Sequence, residues 1–293
     1  STHCISSAAS DVYKRQTMHS VELIASDLDQ TFLSSDKTPS AANLAAVRAA
    51  AAAGVHIVFA TGRPYRWLDV LSQLADADPI VLAFNGAVSI DSHTGEILHQ
   101  QAIDHQVLTD IVADVCQVLP SALFCAEEAR HWGLQEGFER SFEKGRPDLV
   151  APVADLIGQQ RSVVKLLIRG WGVPSEELYR RLAPVIGDRA TTTYSFSGPD
   201  GILEVSSAGV SKGAALARVC ADLDVDPADA AAFGDMPNDI SMLDLVGHPY
   251  AVANAHPQLL SRGYQVIGDH DDSAVGRTIT ALLADRRAST GTR

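Results

Sequence analysis

Val21-Glu22-Leu23-Ile24-Ala25-Ser26-Asp27-Leu28-Asp29-Gln30-Thr31 is a short apolar strand that runs directly into two carboxylates. The next sixty residues make it the first strand of a parallel sheet. A helix is expected over Pro39 to Ala53, then a strand at Val55 to Ala60, a helix from Pro64 and a strand at Ile80 to Phe84. Thr38 before Pro39 and Gly54 past Ala53 fit a cap, a first-turn proline and a C-terminal glycine. Short apolar strands alternating with helices form a parallel sheet covered on both faces, and ligands of such sheets bind beyond the carboxyl ends of the strands.

The pattern breaks at Asn85-Gly86, a turn dipeptide that with Ala87 to Asp91, a turn at His93 to Gly95 and Glu96 to Ile103 reads as a hairpin. Helical and strand-like segments then mix, with strands expected at Ser162 to Arg169 and Ala190 to Phe196. The alternation resumes with Gly201 to Ser207, a helix over Ser211 to Leu223, the strand Ala230 to Phe233, a helix from Pro237, the strand Tyr250 to Ala253 and a helix from Ser273 to Asp285. The fold class is therefore α/β: a doubly wound parallel sheet, Rossmann-like, with an inserted α+β cap domain. Residues 18–90 and 197–293 are assigned to the core and 91–196 to the cap. Residues 1–17 show neither helical nor strand period and are expected to be a disordered or non-native tail.

At 293 residues, with 46% hydrophobic and 20% charged residues, the chain is long enough for two domains and has an ordinary globular composition. Its net charge of −13 argues against nucleic acid and anionic membrane surfaces as partners. The apolar runs are of strand length, too short to cross a bilayer. Cys4, Cys116, Cys125 and Cys220 form no CxxC pair, which fits a reducing cytoplasm. No pattern specifies an oligomeric state.

Four loops carry polar residues at strand ends or helix starts: Asp27 and Asp29, Thr61-Gly62-Arg63, Ser211-Lys212-Gly213, and Gly234-Asp235-Met236-Pro237-Asn238-Asp239. Each alone reads as a capped turn. Together they meet on one rim of the sheet, where Asp27, Asp29, Asp235 and Asp239 crowd. Two carboxylates 4 Å apart repel by about 4 kcal/mol at an effective dielectric of 20, so the cluster requires a cation. Oxygen ligands without His or Cys point to Mg2+, and Mg2+ beside Lys212 and Thr61 makes a phosphoryl site.

In this order DLDQT, TGR, SKG and GDMPND resemble the four motifs of the haloacid dehalogenase-like hydrolases. The placement of the insertion, with Phe84-Asn85-Gly86-Ala87 before it, is similar to the Cof-type subfamily with its C2-type cap. So is the segment Ala251 to Pro257 followed by Ser273 to Gly276. The resemblance implies a magnesium-dependent phosphatase acting on small phosphorylated metabolites, sugar or cofactor monoesters. Asp27 would be the nucleophile and Asp29 the acid and base. Asp27, the Asp29 carbonyl and Asp235 would hold Mg2+, with Asp239 as a further carboxylate and Asn238 in support. Thr61 and Lys212 would bind phosphoryl oxygens, and Arg63 and Asn85 would contact phosphate or leaving group. Gln30 stands where most members carry glycine. A mutase or phosphotransferase of the same fold, or a metabolite-binding protein with weak turnover, remains an alternative.

The other candidates read as structure. His56, His99 and His131 form no HxH or HExxH and are assigned to packing; Trp132 and Phe138 are assigned to core; Asp269 to Asp272 reads as a solvated turn. Neither G-x-G-x-x-G nor G-x-x-x-x-G-K-[ST] is present, which disfavours dinucleotide and P-loop chemistry.

Overall fold

The computed structural model describes residues 21–138, 145–158, 161–195 and 199–290, so the expected tail at 1–17 lies outside the described residues. Two sheets organise the chain. The first has eight strands: β1 (Leu23–Ser26), β2 (His56–Ala60), β3 (Ile80–Ala83), β4 (Val88–Asp91), β5 (Ile97–Gln100), β12 (Ala230–Gly234), β13 (His248–Ala251) and β14 (Gln265–Val266). Their order is β14-β13-β12-β1-β2-β3-β4-β5. The pairings from β14 to β3 are parallel, and only β3–β4 and β4–β5 are antiparallel. Because β1 is flanked on both sides by parallel neighbours, it is buried at every position, as a central strand of such a sheet must be.

Register fixes the site. Ser26 pairs with Phe233 on one side and Phe59 on the other. The loops that start at Asp27, Thr61 and Asp235 therefore leave the sheet side by side.

The second sheet comprises β6 (Leu123–Glu127), β7 (Trp132–Leu134), β8 (Leu149–Val150), β9 (Lys165–Arg169), β10 (Ala190–Thr193) and β11 (Ile202–Ser207), in the order β10-β11-β9-β6-β7-β8. Leu166, Ile168, Leu203 and Val205 on one face pack with apolar residues of the helices His105–Val118 and Ser175–Ile186. The other face carries a smaller cluster of Cys125, Leu134, Leu167 and Ile202 with Trp132 and Phe138, which are core residues as expected.

Sheet membership departs from the expected boundaries. Ile97–Gln100 still belongs to the first sheet, and Ile202–Ser207 pairs with β9 and β10 in the second. By pairing, the inserted part starts after Gln100 and ends with Ser207, rather than spanning 91–196. An apolar strand adjoining the SKG motif carries no mark of which sheet it joins, since both would bury it. Two helix expectations also change. The first helix is Ala41–Ala52, capped by Ser40 Oγ accepting from the Asn43 N–H at 3.1 Å, rather than by Thr38. The segment after Pro64, Tyr65–Ala77, is wound in 3-10 turns rather than as an α-helix. Among the described residues no helix is long and apolar enough to cross a membrane.

Candidate active site

Asp27, at the end of β1, and Asp235, at the end of β12, are both buried. Lys212, the first residue of the helix Lys212–Asp222, has no exposed surface. Its Nζ donates to Asp27 Oδ1 and to Asp239 Oδ1, each at 2.5 Å. The other Asp239 oxygen accepts the N–H groups of Asp235 and Met236 at 3.0 Å. Two glycines make this approach possible. A Cβ at Gly213 would collide with the Ser241 carbonyl oxygen, and one at Gly234 would lie 2.6 Å from the Asp239 Cβ. Both glycines belong to the motifs SKG and GDMPND.

Carboxylate oxygens of Asp27, Asp235 and Asp239 all lie within 4.8 Å of one another. Burial, reinforced by Asp239 and Asp29 and opposed by Lys212, pushes the Asp27 carboxyl up to about 7. Burial, with Asp27 and Asp239, likewise holds Asp235 well above the usual carboxylate range. Burial works against the Lys212 charge, but Asp239 and Asp27 outweigh it and hold that ammonium above its ordinary value. One lysine therefore leaves the acidic group short of positive charge, which a divalent cation would supply. The donor set fits a hard cation. Asp27 and Asp235 each keep an oxygen outside their hydrogen bonds, and the buried Asn238 Oδ1 has no hydrogen-bond partner among the described residues. Asp239, by contrast, is committed to Lys212 and to two backbone N–H groups.

Thr61 is buried at the end of β2, and its Oγ1 accepts the Arg63 N–H at 3.1 Å. Its own O–H is left to donate into the cavity that Asp27 also lines. Asp29 lines the same cavity but lies outside the three-carboxylate group. Arg63 grips its carboxylate with two bonds of 2.7 and 2.8 Å, and Lys37 adds one at 3.4 Å. Burial opposes ionisation there, but the Arg63 hydrogen bonds and charge, with Lys37, hold Asp29 below the usual carboxylate range. The Arg63 guanidinium, expected at the phosphate or leaving group, lines the cavity and bonds to Asp29 and to the Trp67 carbonyl. Asn85, expected in the same role, sits in a left-handed turn with Phe84 and Gly86. It donates to Glu204 of β11 at 2.5 Å and accepts from Asn238 at 3.1 Å, so it joins the second sheet to the Asp235 loop. An asparagine that spends its amide on other side chains has little left for a ligand.

The cavity between the sheets measures about 1040 Å³. Its lining includes Glu127, Lys165, Arg169, Trp171 and Glu204, none of them among the expected site residues. For Lys165 and Glu204 the signal in the sequence is a charge inside an apolar strand, as in Val164-Lys165-Leu166 and Leu203-Glu204-Val205, because a buried charge requires a partner. The loop Asp269 to Asp272 is more than a solvated turn. His270 is buried and its Nδ1–H donates to the Leu33 carbonyl at 2.8 Å, while Asp271 accepts the Ser35 N–H and O–H at 2.7 Å.

An eight-stranded, largely parallel sheet with an acidic and lysine-bearing rim beneath an inserted sheet is the architecture of a doubly wound α/β enzyme with a cap. Residues 24–279 match the haloacid dehalogenase-like hydrolase family, and the chain belongs to it. It is 30% identical to the HMP-PP phosphatase of Enterobacter sp. strain 638, over 89% of this chain and 95% of that one. It is 24% identical to the 5-amino-6-(5-phospho-D-ribitylamino)uracil phosphatase YwtE of Bacillus subtilis, over 92% and 100% of the respective chains. Among solved structures, SMU.1108c from Streptococcus mutans UA159 superposes with a TM-score of 0.78 at 24% identity, covering 90% of this chain and all of that one.

Proposed function

We propose that this enzyme is a magnesium-dependent phosphatase of small phosphorylated metabolites, sugar or cofactor monoesters, working through an aspartyl-phosphate. The observation that carries the reading is the convergence of Asp27, Asp235 and Thr61 on one cavity, with Lys212 bonded to Asp27 behind them. The names of the two phosphatase relatives support a phosphorylated metabolite as substrate. Asp27, Asp235 and Asn238 would hold Mg2+, with the Asp29 carbonyl, and Asp239 would position Lys212 rather than meet the ion. Bound there, the ion supplies positive charge against the phosphoryl oxygens.

In the first half-reaction an Asp27 oxygen attacks phosphorus in line, the bond to the leaving oxygen breaks, and that oxygen takes a proton from Asp29. In the second, Asp29 takes a proton from water as the water oxygen bonds to phosphorus and the Asp27–phosphorus bond breaks. Lys212 and the Thr61 hydroxyl stabilise charge on the phosphoryl oxygens throughout. The clamp of Arg63 and Lys37 favours ionised Asp29, the form needed in the second half. A monoanionic ester, whose second ionisation falls near 6, hands its proton to Asp29, which passes it to the leaving oxygen in the first.

Cys116, Cys125 and Cys220 are thiols rather than disulfides, in keeping with a cytoplasmic enzyme. The test is phosphate release from a panel of monoesters with and without Mg2+, with Asp27→Asn as control. Turnover by the variant equal to the parent's would overturn the assigned nucleophile. Transfer to an added sugar in place of water would favour the phosphotransferase alternative.

A further inference from the structure

On the reading that the cavity holds a phosphate ester, one residue of the inserted sheet is placed to read the part of the substrate that leaves. Lys165 on β9 is buried and lines the cavity with Asp27 and Thr61. Its Nζ donates to the Gly62 carbonyl at 2.9 Å, immediately after Thr61, and to Glu204 Oε2 at 2.7 Å. An ammonium has three N–H donors. Two are used, and the third has no protein partner among the described residues. A buried donor left without an acceptor is costly, so this one calls for a ligand atom.

The surrounding charges decide what kind of atom. Glu204 balances Lys165 and is held below the ordinary carboxylate range: burial opposes this, but the Lys165 charge and the hydrogen bonds of Lys165, Ser195 and Asn85 outweigh it. Glu127, directly across from Lys165 in the β6–β9 register, is gripped by Arg66 at 2.6 and 2.9 Å. Lys165 with Glu204 and Arg66 with Glu127 form two neutral pairs around this N–H, while Arg169 lines the cavity further along β9. A hydroxyl or carbonyl oxygen accepts the N–H without adding charge to the two pairs.

We propose that Lys165 is a specificity-determining residue whose free N–H donates to an uncharged oxygen of the leaving group close to the scissile ester. The preferred substrates are then phosphate esters that carry a hydroxyl or carbonyl oxygen close to the scissile bond.

The experiment compares kcat/KM in the holoenzyme for two monoesters of equal size, one with a hydroxyl on the carbon next to the ester-bearing carbon and one with hydrogen there. The parent is expected to prefer the hydroxylated ester by roughly 10- to 100-fold, the span of one charged hydrogen bond. Lys165→Met is expected to bring the ratio near one. Lys165→Met with Glu204→Gln guards against misfolding, because it removes both charges of the pair together, and it is expected to do the same. A parent ratio near one, or an unchanged ratio in either folded variant, overturns the assignment. Should the parent release no phosphate from either ester, the phosphatase reading falls by itself. Calorimetric affinities for the same two esters then decide the Lys165 assignment: a hydroxyl preference lost in the variants supports it, and equal affinities in the parent overturn it.

Discussion

Replacing Lys212 with Met removes the ammonium between Asp27 and Asp239 while keeping most of the buried stem. Both contacts are 2.5 Å and Lys212 is fully buried, so solvent cannot take its place. Deleting one partner of a buried ion pair costs about 3–5 kcal/mol. In a chain of this size each kcal/mol moves Tm by roughly 2–4 °C, so a drop of roughly 6–20 °C is expected. The loss must also depend on pH. Asp27 already stands at about 7 with Lys212 present, and without that cation it rises further. A raised carboxyl contributes its full stability below the unfolded value of 3.8 and loses it as pH climbs through the folded value. The variant is therefore expected to approach the parent at pH 5 and to fall behind it at pH 8. Thermal melts in EDTA, followed by the fluorescence of Trp67, Trp132 and Trp171, measure both gaps. Excess Mg2+ at pH 8 should restore part of the loss. A variant as stable as the parent at pH 8, or a deficit equal at both values, would refute the claim that Lys212 compensates these carboxylates.

Metal-free parent protein is expected to melt lower at pH 8 than at pH 5, since ionising Asp27 between 3.8 and about 7 costs up to about 4 kcal/mol; added Mg2+ should raise Tm more at pH 8, and a metal effect independent of pH would count against the site. Asp27→Asn is expected to cut phosphate release at least roughly a thousandfold with little change in far-UV circular dichroism. Gly234→Ala places a Cβ against Asp239, and urea titration should show a loss of about 1–3 kcal/mol with weaker Mg2+ binding; unchanged values would mean that Asp239 can move freely. Gln30→Gly removes a side chain held at φ +59° and should leave stability equal or raise it by up to about 1 kcal/mol in the same titration.

The sheet and its rim were legible because two kinds of information coincide in the chain. Apolar strands alternating with helices define a parallel sheet, and the loops at Asp27, Thr61 and Asp235 each follow one of its strands. Once Ser26 is in register with Phe59 and Phe233, Asp27, Thr61 and Asp235 have to converge, whatever occupies the cap. Side-chain pairing was not legible in the same way. Nothing within Thr61-Gly62-Arg63 says that the guanidinium bonds to Asp29, because the two residues are 34 positions apart and a carboxylate and a phosphoryl oxygen satisfy the same donors. Glu204 and Lys165 were hidden for a related reason: each is a charge in a mostly apolar strand, and the partner that makes its burial tolerable lies 39 residues away on a neighbouring strand. The pair also explains why the boundary of the inserted sheet was misplaced. Ile202–Ser207 carries Glu204 to Asn85, and Asn85 hydrogen-bonds to Asn238 beside the acidic cluster. That strand therefore belongs by pairing to one sheet and by its single charge to the site built on the other. In a two-sheet enzyme, a lone buried charge in an apolar strand is thus a sign that the strand faces the active-site cavity.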